Sequence, residues 1–123
     1  MILEEFYEAV GGSYEDVKRR LLSDRLIMKF FKKFPDDNSY DLLCDSLRQG
    51  NMEDAFRAAH TLKGICLNLG FASLYKSTEA LAEELRPGLY AAYTGNTAHL
   101  VDTVNQDYRC VINNLERLLT AES

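Results

Sequence analysis

The sequence predicts an all-α fold: an antiparallel up-down four-helix bundle with short flanking helices at its N-terminus. Three observations carry that prediction. Nearly every segment repeats its apolar residues at three-to-four spacing, no segment alternates with a period of two, and glycines, prolines and capping residues divide the chain into helix-sized pieces joined by short turns. Helices that each bury one apolar stripe, and follow one another across short turns, cover those stripes most economically side by side in alternating directions.

Ile2 to Val10 reads as a short helix stopped by Gly11-Gly12. Ser13 can cap a second helix over Tyr14 to Leu22, with Asp16 placed to favour its positive end. Asp24 can cap Arg25 to Phe34, which Pro35 closes. Between Asp37 and Gln49 the residues Tyr40, Leu43, Cys44 and Leu47 share a face, and Gly50 ends that helix as a C-cap. Asn51 restarts the chain, and Met52, Ala55, Phe56, Ala59, Leu62, Cys66 and Leu69 keep one stripe running to Gly70, about five turns. Leu74, Thr78, Leu81 and Leu85 give the next helix, terminated by Pro87-Gly88. After a looser Tyr- and Ala-rich stretch around Gly95, the residues Val101, Val104, Tyr108, Val111, Leu115 and Leu118 define a long last helix. Residues 1–22 then flank a bundle over 24–120, and the 123 residues form one domain.

A net charge of −5 argues against general affinity for nucleic acid or an anionic membrane, which needs a basic face. The basic cluster Lys29, Lys32 and Lys33 is interleaved with Phe30, Phe31 and Phe34 at helical spacing and reads as an amphipathic helix. No apolar run approaches the roughly 20 residues that span a bilayer, and Glu4 and Glu5 stand where a signal peptide is basic, so a cytoplasmic protein is expected. Cys44, Cys66 and Cys110 are widely spaced and read as small buried hydrophobes rather than a disulfide framework or zinc site.

The chemistry concentrates in "AAHTLKG", Ala58 to Gly64. At about 100° per residue the core stripe of that helix centres near Ala59, which turns His60 toward water. Phe56 lies one turn before it, Lys63 and Gly64 one turn after, Leu67 two turns after. An exposed imidazole, mainly neutral near pH 7, offers a nucleophilic ring nitrogen, and an ammonium one turn away can stabilise a dianionic group attached there. Glycine inside a helix costs on the order of 1 kcal/mol relative to alanine, and removing a side chain beside the imidazole lets a partner approach closely. Elsewhere, His99 with Asp102 one turn later sits on the polar side of the last helix as solvated surface, and Tyr90 and Tyr93 are expected to cover one end of the core.

"AHTLKGICLNLG", Ala59 to Gly70, resembles the histidine-containing phosphotransfer (HPt) domain family, whose pattern is alanine-histidine, an apolar residue two further on, lysine-glycine, and a glycine six residues later. The similarity runs upstream through "FFKKFPDDNSYDLLCDSLRQGNMEDAFRAAH" and downstream into "FASLYKSTEALAEELR", roughly residues 10 to 86. It implies a four-helix bundle whose exposed histidine accepts a phosphoryl group from the aspartyl phosphate of one receiver domain and passes it to another. Position by position, His60 is the phosphorylated residue, through the ring nitrogen farther from the backbone, Lys63 stabilises the phosphoryl group, Gly64 provides access, and Arg86 is a second cation near the site. Phe56, Arg57, Ile65 and Leu67 form the docking surface. Ile65 and Cys66 depart from the Ser or Ala that members often carry, and Ala82 replaces a Gln or Glu that bonds the other imidazole nitrogen, leaving Glu79 or Glu83 as nearby substitutes.

The chain has no glycine-rich phosphate loop and no evident carboxylate cluster for Mg²⁺, so it reads as a monomeric carrier without cofactor rather than an enzyme, the partner receiver bringing the metal and acids. The expected partners are response-regulator receiver domains or a sensor histidine kinase. Two other readings stand beside this one: a degenerate bundle used only for protein interaction, and the phosphate-accepting domain of a chemotaxis-type kinase, which needs nucleotide-binding sequence not found in these residues.

Overall fold

The structure, a computed structural model, describes residues 1–86 and 94–122, and among these every regular element is helical. In order they are α1 (Leu3–Ala9), α2 (Tyr14–Leu21), α3 (Asp24–Lys33), a short 3₁₀ turn (Phe34–Asp36), α4 (Ser39–Arg48), α5 (Met52–Leu69), α6 (Ala72–Glu84) and α7 (Gly95–Glu122). None of the described helices is long and apolar enough to cross a membrane. The expected stops at Pro87-Gly88 and the pair Tyr90 and Tyr93 lie outside the described residues.

Helix α5 packs against α4 on one side and α6 on the other, and α6 packs against α7. Its apolar stripe does what the spacing predicts: Ala55, Ala59, Leu62 and Cys66 are fully buried, facing Leu43 of α4, Leu74 and Leu81 of α6 and Val111 and Leu115 of α7 in one core. Burying a leucine such as Leu62 contributes about 2–3 kcal/mol. Tyr40 of α4 closes the ring of helices by stacking on Tyr108 of α7 at 3.8 Å, and its hydroxyl donates to Asn105 Oδ1 at 2.5 Å. Gly50 and Gly70, both with positive φ, end α4 and α5 as the sequence indicates.

The N-terminal helices are more than flanking pieces. Phe6 and Tyr7 of α1 are as buried as any residue, and Phe6 meets Phe31 at 4.8 Å and Phe71 at 5.7 Å, so an aromatic cluster fills the end of the core where α5 turns into α6. The Tyr7 hydroxyl donates to the Leu69 carbonyl at 2.7 Å, and the chain after α1 passes so near that turn that a Cβ on Gly12 would lie 2.1 Å from the Gly70 carbonyl oxygen. The N-terminal segment thereby anchors the C-terminal end of the helix that carries His60.

Several boundaries differ from the sequence reading for local reasons. Ser23, not Asp24, caps α3, its hydroxyl accepting from the Leu26 N–H at 3.2 Å, while Asp24 takes bonds from the Tyr14 hydroxyl and from Lys18. Asp37 stays outside α4 and accepts from the Ser39 N–H at 2.9 Å. Helix α7 begins at Gly95, six residues before its first apolar stripe position, because Thr94 and Thr97 bond reciprocally through hydroxyls and backbone N–H groups at its start. Cys66 is buried as expected, but Cys44 and Cys110 are only half-buried.

Candidate functional site

Eighteen residues of uninterrupted helix, capped at the start by the Asn51 side chain accepting from the Asp54 N–H, give α5 a rigid outer face. Ala59 and Leu62 are buried and His60 is exposed, the split that the helical wheel requires. The imidazole lies against the Phe56 ring, centroids 6.0 Å apart and planes inclined by 24°. Among the described residues neither ring nitrogen is hydrogen-bonded, so a neighbouring ring rather than a polar partner steadies the imidazole.

A groove of about 590 Å³ runs between α5 and α6 and is lined by Phe56, His60, Lys63, Glu79, Ala80, Ala82, Glu83 and Arg86. The structure therefore gathers the imidazole with both predicted cations. Lys63 is half-buried and has no ion pair among the described residues, whereas Arg86 donates to Glu83 at 2.7 Å. Glu79 accepts from the Tyr75 hydroxyl at 2.8 Å, and that bond to a carboxylate holds the phenol above its ordinary value of 10.0. Ala82 offers no polar group to the groove.

Gly64 adjoins His60 on the presented face, and a Cβ built there would meet nothing within 4 Å. Nothing inside the chain requires a glycine at this position. Leu67, half exposed, continues the same face. Arg57 is exposed and engaged along its own helix, donating to Glu53 at 2.6 Å and to Asp54 at 3.2 Å. Ile65 is separated from the others: about 140° around the helix from His60, it lines a second hollow with Leu21, Phe30 and Leu69 at the α3 edge.

Sequence reasoning missed Arg20, whose guanidinium donates to the Leu67 carbonyl at 3.1 Å and ties α2 to the last turn of α5. Its 47-residue separation leaves no local signal to find. His99 and Asp102 are both exposed on α7, away from the groove. Among the described residues no cluster of three His, Cys, Asp or Glu side chains is placed to hold a metal ion.

A helical bundle that presents one imidazole beside two cations and a bare stretch of backbone has the form of a histidine phosphocarrier. The Hpt domain family model matches residues 26–121, and the chain belongs to that family. Hpt domains are carriers rather than enzymes, passing phosphoryl groups on histidine in phosphorelay signalling through contacts with receiver domains and kinases. No curated protein and no solved structure matches the chain.

Proposed function

We propose that this chain accepts a phosphoryl group on His60 from the aspartyl phosphate of one receiver domain and delivers it to the aspartate of another. The observation that carries this reading is the single groove in which His60, Lys63 and Arg86 meet beside an unobstructed Gly64. The lone pair of the unprotonated Nε2 attacks phosphorus, the bond between phosphorus and the acyl oxygen breaks, and the aspartate leaves as a carboxylate. The reverse exchange onto a second aspartate regenerates the imidazole. Lys63 balances the charge held on the ring, and Gly64 gives the receiver's acidic site close access. The receiver supplies Mg²⁺ and the acids that position it, since phosphoryl transfer is catalysed chiefly by placement and charge neutralisation.

In this reading α4 to α7 form the antiparallel four-helix bundle within a single monomeric domain, and α5 is the helix presented to partners. Phe56 and Leu67 lie along its exposed edge, Arg57 adds a polar rim, and Ile65 extends the apolar contact toward α3. Incubation with a phosphorylated receiver should label the protein with an acid-labile, base-stable phosphate. His60→Gln should abolish that label; equal labelling of the variant would show that the site is elsewhere.

A further inference from the structure

We propose that Glu83 and Arg86 form an exchangeable ion pair that sets how long a phosphoryl group remains on His60: Glu83 opposes the group, and Arg86 leaves Glu83 to hold it. The inference rests on His60 being the acceptor. Before phosphorylation the groove is lined by two cations, Lys63 and Arg86, and two carboxylates, Glu79 and Glu83. A phosphoryl group adds nearly two negative charges to that balance.

The four charges are not equally available. Glu79 is engaged by the Tyr75 hydroxyl at 2.8 Å and Glu83 by Arg86 at 2.7 Å, while Lys63 has no ion pair among the described residues. Lys63 is therefore the standing cation for the incoming group, and Arg86 is shared. The Arg86–Glu83 bridge is an exposed pair one turn apart on α6, of the kind that water and salt weaken most. A dianion bound in the same groove outcompetes one carboxylate for a guanidinium that can chelate phosphate through two N–H groups. The long arginine stem lets that exchange proceed by side-chain rotation, with α6 unmoved.

Placement supports Glu83 as the opposing charge. Because α6 folds back on α5 across Gly70 and Phe71, residues equally far from that turn lie at similar heights, which sets His60 level with the buried Leu81 and its neighbour Ala82, the one of the two that lines the groove. With an alanine there, the adjoining Glu83 is the carboxylate beside the imidazole that lacks a tyrosine hydroxyl on it. Its charge repels the phosphoryl oxygens. That repulsion is relieved when the P–N bond breaks, water taking the phosphorus and imidazole leaving.

The two substitutions consequently act in opposite directions. Phosphoramidate, a small donor that needs no docked partner, can load the wild-type protein and the variants, and ³¹P NMR can follow hydrolysis at neutral pH. Glu83→Gln should lengthen the phosphohistidine half-life about three- to tenfold and Arg86→Gln should shorten it by a similar factor, as expected for one charge removed a short distance away in a wet groove. Glu83→Asp should restore a short half-life. A purely structural bridge would be broken equally by either change, so half-lives that move in the same direction, or do not move, overturn the exchange. Wild-type protein that takes no label on His60 overturns the acceptor assignment and the exchange with it, whereas a labelled His60 indifferent to both substitutions overturns the exchange alone.

Discussion

Replacing Gly64 separates what this glycine does for the fold from what it does for function. A Cβ added at Gly64 meets nothing within 4 Å, so alanine there incurs no steric cost and gains the helix preference that glycine forgoes, about 1 kcal/mol in a helix interior. With unfolding entropy near 2.1 cal/mol/K per residue, a chain of 123 residues should melt about 4 °C higher as Gly64→Ala. Gly70 is the internal contrast: its φ is 76°, and a Cβ would fall 2.2 Å from a Val17 methyl, so Gly70→Ala should lower the melting temperature by at least as much. Gly64→Leu should keep most of the stability gain, because leucine is nearly as good a helix former as alanine. Its side chain would nevertheless stand beside the imidazole and slow exchange with a phosphorylated receiver at least about tenfold, the scale on which small misplacements act. Thermal melts by circular dichroism and rapid-quench transfer assays read the two effects separately. A lower melting point for Gly64→Ala would show that the glycine serves packing within the chain, and wild-type transfer by Gly64→Leu would refute the access role.

Two further predictions concern stability alone. Burial pushes the Tyr7 phenol well above its ordinary value of 10.0, and it does the same to the Cys66 thiol, ordinarily near 9.0. Both groups are held neutral in the fold, so the stability they contribute is complete below those ordinary values and is lost as pH rises past them. The loss should approach about 1.4 kcal/mol per pH unit for each group. Urea titrations between pH 8 and 11 should show this decline, Tyr7→Phe should make it shallower, and an unchanged slope would argue against the phenol as a source. Leu22 is the one non-glycine residue with positive φ among those described, at 71°, and the residue is 82% exposed. Leu22→Gly relieves about 1–2 kcal/mol of backbone strain, partly offset by glycine's greater unfolded freedom, so the urea midpoint should rise by the equivalent of about 0.5–1 kcal/mol; a lower midpoint would mean that the leucine makes a contact worth more than its strain.

The helices were legible because their signals are local. The stripe from Met52 to Leu69 needs only a period, and the stops at Gly50 and Gly70 need only a residue that accepts positive φ. The role of α1 was not legible in that way. Phe6 and Tyr7 look in sequence like one side of a short amphipathic helix, and their burial depends on Phe31 and Phe71 arriving from elements far along the chain. The start of α7 was missed for the opposite reason: apolar periodicity marks where a helix is buried, and the turns from Gly95 to Leu100 are set by the Thr94 and Thr97 hydroxyls instead.

At the site the same division holds with a functional consequence. His60, Lys63 and Gly64 share one helix, so spacing alone places them together. Arg86, Glu79 and Glu83 come from α6, and only the packing of that helix on α5 brings them into the groove. Sequence could propose the two glutamates as partners for the imidazole but could not show that Tyr75 and Arg86 already engage them. Those prior engagements change what α6 contributes. An unengaged carboxylate beside His60 would act as a fixed orienting group, whereas in the exchange proposed above one paired with an arginine makes the groove responsive, because an arriving phosphoryl group and the carboxylate would compete for one guanidinium. Where the resemblance implies a Gln or Glu, the chain has Ala82, so on the reading proposed above the ring depends on Phe56 for its tilt and on the α6 charges for its energetics, two roles that Phe56 and Glu83 substitutions would separate.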